Sequence, residues 1–369
     1  MDRNNPNYHV IFDKIELDWE HGKQPFLNTT TVYYFSISFM LGLKLRNGTT
    51  LSRGFTKGRH AIISELQNLP APWNHGMVWN GGTPVRCVAP NKLEDTSPFA
   101  SYYDSYVSRC WSYYRTRKLS LHNPPHAPAW SATGQVENGN FTFTAGTEKV
   151  TIKNLAGQGA HIFGCDGQGY LFTTGSDSIA KQGIIKTMGA ALNRGVLYDG
   201  ANGIQDTAAW WRDAGRFYAH ESTNLYSKVL HEAAYEGFCY GFSFDDVGEF
   251  STGVEGDAAE VHIAIQPMRD EPASHTVHLR PNRTRFATTG AIDIDVDVTR
   301  AIDEPFYPAF YIVTPSGRRL YLVEGNRLTP DLSAYVMRRR GRNWAPVAMT
   351  VPAAAHGIRL FSEIGRAHV

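Results

Sequence analysis

NPNYHVIFDKIELDW at residues 5–19, followed after a short turn by NTTTVYYF at 28–35, sets the reading of the chain. Within it, YHVIFDKIEL is a β-type run in which Glu16 stands between Ile15 and Leu17, so that in a strand its side chain points alone to the face opposite theirs. The run breaks at HGK, a turn signal. TTVYYFSISFML and LKLRNGTTL follow, broken again at Asn47-Gly48. Residues 1–56 therefore read as β-rich.

From residue 57 the period changes. GRHAIISEL, FASYYDSYVSRCWSYY, DSIAKQGIIKTMGAALNRG and NLYSKVLHEAAYEG each carry apolar residues three to four apart, which predicts helices. In the third, Ile184, Ile185, Met188, Ala191 and Leu192 form one face, and Gly195 stands where a helix C-cap glycine would. PVRCVAP, FTFTAG and KVTIKNL are strand candidates between the helices, so 57–234 reads as mixed α/β. After 235 the β pattern returns in GFCYGFSFDDV, AEVHIAIQPM, AIDIDVDVTRA, PAFYIVTP and RRLYLVEG. The polar stretch 269–290 has no clear apolar period and reads as a connector. The β-rich lobe, 1–56 with 235–369, is thus assembled from both ends of the chain.

Composition narrows the function classes. A 369-residue chain that is 42% hydrophobic, with 34 Gly and 19 Pro, predicts a folded, soluble, turn-rich protein with room for two lobes. Its net charge of +1 gives no pull toward nucleic acid or an anionic membrane, and the one basic run, Arg338-Arg339-Arg340-Gly341-Arg342, is short enough to be a solvated turn. Four cysteines without CxxC or Cys/His ligand spacing read as buried thiols or at most one or two bridges. No apolar run is long enough to span a membrane, and MDRNNPNYHV does not resemble a signal sequence, which leaves the compartment open. Glycosylation sequons begin at Asn28, Asn47, Asn140 and Asn282, a pattern short enough to arise by chance in polar turns.

Generic catalytic signatures fail. His231-Glu232 begins like HExxH, but Tyr235 occupies the second histidine's place, so no zinc site forms. GQGAHI at 157–162 has Ile162 where the dinucleotide fingerprint needs glycine, and neither a phosphate-binding loop nor GxSxG occurs. No cofactor or metal is expected. What remains is acidic residues on β-runs among 18 Tyr, 19 Phe and 8 Trp. That mixture suits sugar binding, because pyranose faces stack on aromatic rings, although aromatics also serve simply as core.

The opening stretch is similar to the glycoside hydrolase family 64 β-1,3-glucanases, two-lobed relatives of thaumatin-like proteins. In that family a strand carries a glutamate, and the next carries NTTQVD followed by an aromatic; Asn28, Thr29, Thr30, Val32 and Phe35 match. Further blocks follow in family order: GFTKGRHAI, RCVAPNK, SYYDSYVSRCW, TGQVENGNFTFT, IFGCDG, GAALNRGVL, and a closing helix with YGF-x-x-DDV at 240–247. FYIVTPSGRRLYLVEGNRLTP and GIRLFSEIGRA resemble segments that in the family precede the NPNY block. Here they come last, as a circular permutation would give, with the usual termini joined through 269–290 and new ends between Arg366 and Asn5. A tandem or strand-swapped arrangement would also fit.

The resemblance implies a β-rich thaumatin-like sandwich or barrel lobe beside a mixed α/β lobe, with a wide groove between them for β-1,3-glucan. It also implies inverting hydrolysis, in which one carboxylic acid protonates the leaving oxygen and a second carboxylate activates water. Glu16 matches the acid. The family's second carboxylate is replaced by Tyr33, and Thr31 and FSIS depart from the pattern on the same strand. A phenol with an ordinary pKa of about 10 is a poor base near pH 7, and losing the water-activating step costs roughly 10²- to 10⁴-fold. Candidate replacements are Asp245 and Asp246 first, then Asp18 and Glu20; for the Asp245-Asp246 pair, a turn that orders the strand end is the alternative. The expectation is a glucan-binding protein with weak or lost hydrolase activity, Thr31, Asp245 and Asp246 contributing to binding. The alternatives are an active inverting endo-β-1,3-glucanase with a displaced base, and a toxin-like or structural protein reusing the scaffold.

Overall fold

The alternation around Glu16 becomes strand β1 (Ile11–Asp18), in which Ile11, Asp13, Ile15 and Leu17 are buried while Phe12, Lys14, Glu16 and Asp18 stay half-exposed. The computed structural model describes residues 4–5, 7–18, 24–123, 129–207, 213–219 and 222–268, together with the backbone of seven strands between His275 and Arg366. Glu20, Asn282 and Arg338–Arg342, all singled out in the sequence, lie outside the described residues.

The remaining early strands are β2 (Phe26–Thr29), β3 (Tyr34–Phe35), β4 (Phe39–Leu45), β5 (Thr50–Gly54), β6 (Met77–Asn80) and β7 (Thr83–Val88). Then come β8 (Leu119–His122), β9 (Ser131–Glu137), β10 (Asn140–Ala145), β11 (Glu148–Ile152), β12 (Val254–Glu255) and β13 (Ala258–Ile265). The last seven are β14 (His275–Pro281), β15 (Gly290–Val298), β16 (Phe306–Val313), β17 (Arg319–Val323), β18 (Arg327–Thr329), β19 (Val347–Val351) and β20 (Arg359–Arg366). The strands form four antiparallel sheets: β12-β2-β1-β20-β16-β17-β18, β19-β15-β14-β13-β4-β5, β11-β10-β9-β8 and β3-β7-β6.

The first two sheets share a core. Ile11, Ile15, Leu17 and Leu27 from one pack with Leu41, Leu43, Val261 and Ile263 from the other, the interdigitation of a β-sandwich. β20 runs beside β1 for its full length, from Ile11 opposite Arg366 to Asp18 opposite Arg359, and β16 pairs with the other edge of β20. The strands of 306–329 thus belong to the sheet that carries Glu16.

A second core gathers the helices. These are α1 (Arg59–Gln67), α2 (Asp104–Tyr113), α3 (Gly159–Gly164), α4 (Ile179–Arg194) and α5 (Leu225–Ala233), packed with the β8–β11 sheet. Ile184, Ile185, Met188, Ala191 and Leu192 are all buried on α4, and Gly195 ends it at φ 69 ψ 29, the left-handed cap its sequence position predicts. This core also takes Phe35, Phe55 and Cys239 from outside 57–234. All four cysteines are free, buried thiols.

Two sequence expectations are overturned. GFCYGFSFDDV is not a strand: its end runs into bends and turns from 242 to 249, where the Asp245 carboxylate accepts the Gly241 N–H at 2.8 Å and folds the segment back on itself. The 269–290 connector contains strand β14, whose pairing with β13 and β15 supplies what a faint local alternation at Val277 and Leu279 did not reveal.

Candidate functional site

Glu16 occupies the middle of a three-strand run, opposite Asn28 on β2 and opposite Phe361 on β20. Asn28 is buried, and its amide is oriented by a neighbour: Thr252 Oγ1 donates to Asn28 Oδ1 and lies equally close to the Thr29 carbonyl. That leaves Asn28 Nδ2 facing Glu16 Oε2 at 3.5 Å. Burial at Asn28 also removes it as a glycosylation acceptor, since that modification needs an accessible amide.

Tyr33 is not on a strand paired with β1, as the family pattern led us to expect, but on the bend between β2 and β3. Its backbone is fixed there by the Ala89 N–H, which donates to the Tyr33 carbonyl at 2.9 Å. The ring is 50% exposed, with Lys14 Nζ 4.6 Å and Lys92 Nζ 4.7 Å from its centroid. Lys14 lies two residues before Glu16 on the same face of β1.

The other expected site residues divide. Thr31 is buried, and its hydroxyl donates to the Tyr240 carbonyl at 2.8 Å while its carbonyl accepts from the Tyr226 hydroxyl at 2.7 Å. The expectation that Thr31 touches ligand is therefore not met; it bolts the NTTT segment to α5 and the 240 turn. Asp245 is likewise excluded from any ligand surface, being 0% exposed. Arg194 Nη2 sits 3.0 Å from Oδ1, while His231 Nε2 at 2.9 Å, the Gly241 N–H and the Ser227 hydroxyl at 3.3 Å crowd Oδ2. Burial alone would raise this carboxyl, but the His231 and Arg194 charges and the bonds from His231 and Gly241 more than offset it and hold it below the usual range.

This cluster contains Ser, His and Asp but is no hydrolytic triad. Serine and histidine both contact the aspartate rather than each other, and His231 Nδ1 is already 2.6 Å from the Gly237 carbonyl. Among the described residues, no group of three His, Cys, Asp or Glu side chains is placed to hold a metal ion, and no helix is long and apolar enough to cross a membrane.

Asp246 behaves differently from its neighbour. It is exposed, and its carboxyl is raised by the surrounding protein, an effect that Lys186 partly opposes. Nearby, the Tyr240 phenol is pushed up, by burial most and then by the charges of Asp246, Asp245 and Glu16. The Tyr240 hydroxyl donates to the Ser243 carbonyl at 2.9 Å, and Ser243 Oγ to the Gly164 carbonyl at 3.1 Å. Asp18 shares the face of Glu16 at the end of β1. Sequence reasoning gave no role to Asn28, Lys14, Lys92 or Tyr240. The register of β1 against β2 would have found Asn28, whereas the others are brought in from distant turns.

The family model for β-1,3-glucanases of glycoside hydrolase family 64 matches residues 1–265. The glucan endo-1,3-β-glucosidases of Cellulosimicrobium cellulans and of an Arthrobacter strain are each 27% identical over 269 residues, which is 71% of this chain and 46% of theirs. The chain thus spans about half the length of the curated relatives it matches. Among solved structures, a laminaripentaose-producing β-1,3-glucanase in complex with laminaritetraose superposes with a TM-score of 0.62 at 26% identity, over 73% of this chain and 72% of that one. A family 64 β-1,3-glucanase domain from Clostridium beijerinckii, at 24% identity and a TM-score of 0.56 over 70% and 64%, shares the fold.

Proposed function

For a chain that belongs to glycoside hydrolase family 64, the β-1,3-glucanases, we propose that the surface around Glu16 and Tyr33 binds β-1,3-glucan and hydrolyses it weakly or not at all. The observation that carries this is the side chain at position 33. Inverting hydrolysis needs an acid and a base on opposite sides of the scissile bond, about 6.5–9.5 Å apart. Where the family pattern calls for the base, this chain carries an exposed phenol between two ammonium groups. Without a base the water-activating step loses on the order of 10²- to 10⁴-fold. Binding makes no such demand, and the relative solved with laminaritetraose supports the substrate class.

The finer architecture belongs to the same proposal. The sandwich is the thaumatin-like lobe, 1–56 with 235–369, and it faces the α/β lobe of 57–234 across a wide groove. Glu16 and Asp246 stand on its walls, with Asp246 assisting binding. The chain is circularly permuted relative to its family. Support comes from the order of the sequence blocks and from the pairing of β20 with β1, which inserts a late segment into the sheet of the NPNY strand.

A second reading, an active inverting endo-glucanase with Glu16 as acid and Asp246 as displaced base, draws on the exposed carboxyl of Asp246, which follows the Tyr240 backbone that the Thr31 hydroxyl ties to the NTTT segment. The test is reducing-sugar release from laminarin beside a pull-down on insoluble β-1,3-glucan. Binding without release is expected. Robust release abolished by Glu16→Gln would support the second reading, and neither binding nor release would leave a toxin-like or structural role.

A further inference from the structure

His231 is held at both ring nitrogens by groups that accept hydrogen bonds. Its Nδ1 lies 2.6 Å from the Gly237 carbonyl and its Nε2 lies 2.9 Å from Asp245 Oδ2. A neutral imidazole has one N–H and one bare nitrogen, so in either tautomer a lone pair would face an oxygen at one of these two distances. A proton on Asp245 is no way out, because the other partners of that carboxyl are donors. Arg194 Nη2 reaches Oδ1 at 3.0 Å, while the Gly241 N–H at 2.8 Å and the Ser227 hydroxyl at 3.3 Å both reach Oδ2. Such donors favour the carboxylate. Both contacts of His231 become hydrogen bonds when the ring holds two protons.

The groups packed around the ring leave this pairing undisturbed. Arg194, from α4, is committed to Asp245 and to the Val247 carbonyl. Tyr218 lies 5.4 Å away between ring centroids and turns its hydroxyl to Ser227 at 2.9 Å. Burial holds the Tyr218 phenol and the Cys239 thiol above their ordinary ranges, so neither adds charge. On α5 itself Lys228 and Glu232 pair with each other at 3.8 Å, and Glu236 pairs with Arg53 at 3.5 Å. Asp246 is the neighbouring carboxyl, and it faces solvent.

The ring thereby closes a loop, since Gly237 and Asp245 bracket residues 238–244. Inside that loop the Tyr240 carbonyl accepts both the N–H of Thr31 at 3.0 Å and its hydroxyl at 2.8 Å. The Ser243 hydroxyl reaches the Gly164 carbonyl at 3.1 Å. Thr31 stands between Asn28, which faces Glu16, and Tyr33. The loop closed by His231 is therefore what supports the NTTT segment from behind.

We propose that His231, carrying a proton on each ring nitrogen, is a positioning residue that clamps Gly237 to Asp245, and that losing one of these protons loosens the 237–245 loop and weakens glucan binding as pH rises. The effect on binding rests on the glucan-binding reading above, whereas the clamp itself does not. The direction follows from linkage: the proton belongs to the clamped state, so the clamp holds on the acid side and is lost as pH rises through the titration of the ring.

The whole chain, labelled with 15N at histidine and at the backbone, tests this between about pH 5 and pH 9, the range around which histidine exchanges its proton. The expected result is that both ring nitrogens of His231, assigned through its backbone, carry protons at the acid end and that one is lost in a single step. Across that step, hydrogen-exchange protection of the Gly241 and Thr31 amides, corrected for the base-catalysed rise in exchange, and the affinity for laminarin should each fall at least about fivefold. His231→Gln, with its thermal midpoint as the control for folding, should lack the affinity step. Asp13→Asn and Asp246→Asn should keep it, which separates His231 from two carboxyls that burial raises. A bare ring nitrogen at the acid end, or a proton lost with amide protection unchanged, would overturn the clamp, and these wild-type measurements decide even where His231→Gln does not fold. A ring that keeps both protons to the alkaline end, or laminarin affinity that stays level while protection falls, would overturn the pH dependence of binding. Failure to bind laminarin at any pH would overturn the glucan-binding reading, and the clamp would still be judged by the ring nitrogens and the two amides.

Discussion

Asn28 Nδ2 faces Glu16 Oε2 at 3.5 Å across paired strands because Thr252 holds the other end of the same amide. The carboxylate's surroundings are thus set by a residue 224 positions beyond Asn28 in sequence. Removing the hydroxyl takes away the donor to the buried Asn28 Oδ1, and an unsatisfied buried polar group costs about 1–3 kcal/mol. Thr252→Val should lower unfolding stability by that amount in urea titrations. It should also weaken laminarin binding at least threefold, because the freed amide can turn its oxygen toward Glu16. An unchanged affinity would remove Asn28 from the site.

The adjacent aspartates should respond in opposite ways. Asp245 is the buried counter-charge of Arg194 and a hydrogen-bond partner of His231, and deleting one partner of a buried ion pair costs about 3–5 kcal/mol. Asp245→Ala should therefore unfold at much lower denaturant or fail to accumulate as folded protein. Asp246 is exposed, and Asp246→Asn should change stability by less than about 0.5 kcal/mol while weakening glucan binding. Equal stability losses for the two would show that the pair acts as one structural turn.

Asp13 gives a pH signature. Its side chain is buried inside the sandwich, accepting N–H bonds from Ser36, Ile37 and Lys14, and burial pushes its carboxyl up from 3.8 to about 6 against those bonds. Between about pH 4 and pH 6 the folded chain holds a proton that the unfolded chain has released, so this residue's contribution to stability falls as pH rises. Two pKa steps correspond to about 3 kcal/mol. Urea midpoints of wild type and Asp13→Asn at pH 4, 5, 6 and 7 should show the wild type losing ground to the variant across that interval. Parallel curves would mean that Asp13 keeps an ordinary carboxyl.

The sequence made much of this legible where short-range periodicity carries the information. β1, α4 and its Gly195 cap follow from alternation and three-to-four spacing within a few residues. The failures share a physical cause. Asp245-Asp246 sits in an apolar, aromatic run that looks like a strand, but one carboxylate paired with Arg194, 51 residues away, folds the segment into turns. β14 pairs with both β13 and β15, and the faint local alternation at Val277 and Leu279 is too weak to announce it. The Tyr33 surroundings depend on Lys14 and Lys92 arriving from opposite sides in sequence, a meeting visible only after folding.

The last prediction concerns the missing base. Inverting hydrolysis needs a second carboxylate about 6.5–9.5 Å from the acid, with room for a water, and Tyr33→Asp restores a carboxylate at the position where the family pattern has one. The charges of Lys14 and Lys92, both close to the Tyr33 ring, would favour the ionised form of a carboxylate there. Two features limit the gain. Thr31 is committed to the Tyr240 carbonyl, and Tyr33 sits on a bend rather than on a strand paired with β1, so the carboxylate should miss its best position. A displacement of about 1 Å can cost on the order of 10²-fold. Laminarin hydrolysis should therefore rise in Tyr33→Asp by about 10- to 100-fold, short of a full base contribution, and Glu16→Gln in that background should remove the gain. A rise that survives Glu16→Gln would show that Glu16 is not the acid. No rise at all, with glucan still bound, would show that the positioning of water and substrate, rather than the identity of residue 33, limits hydrolysis.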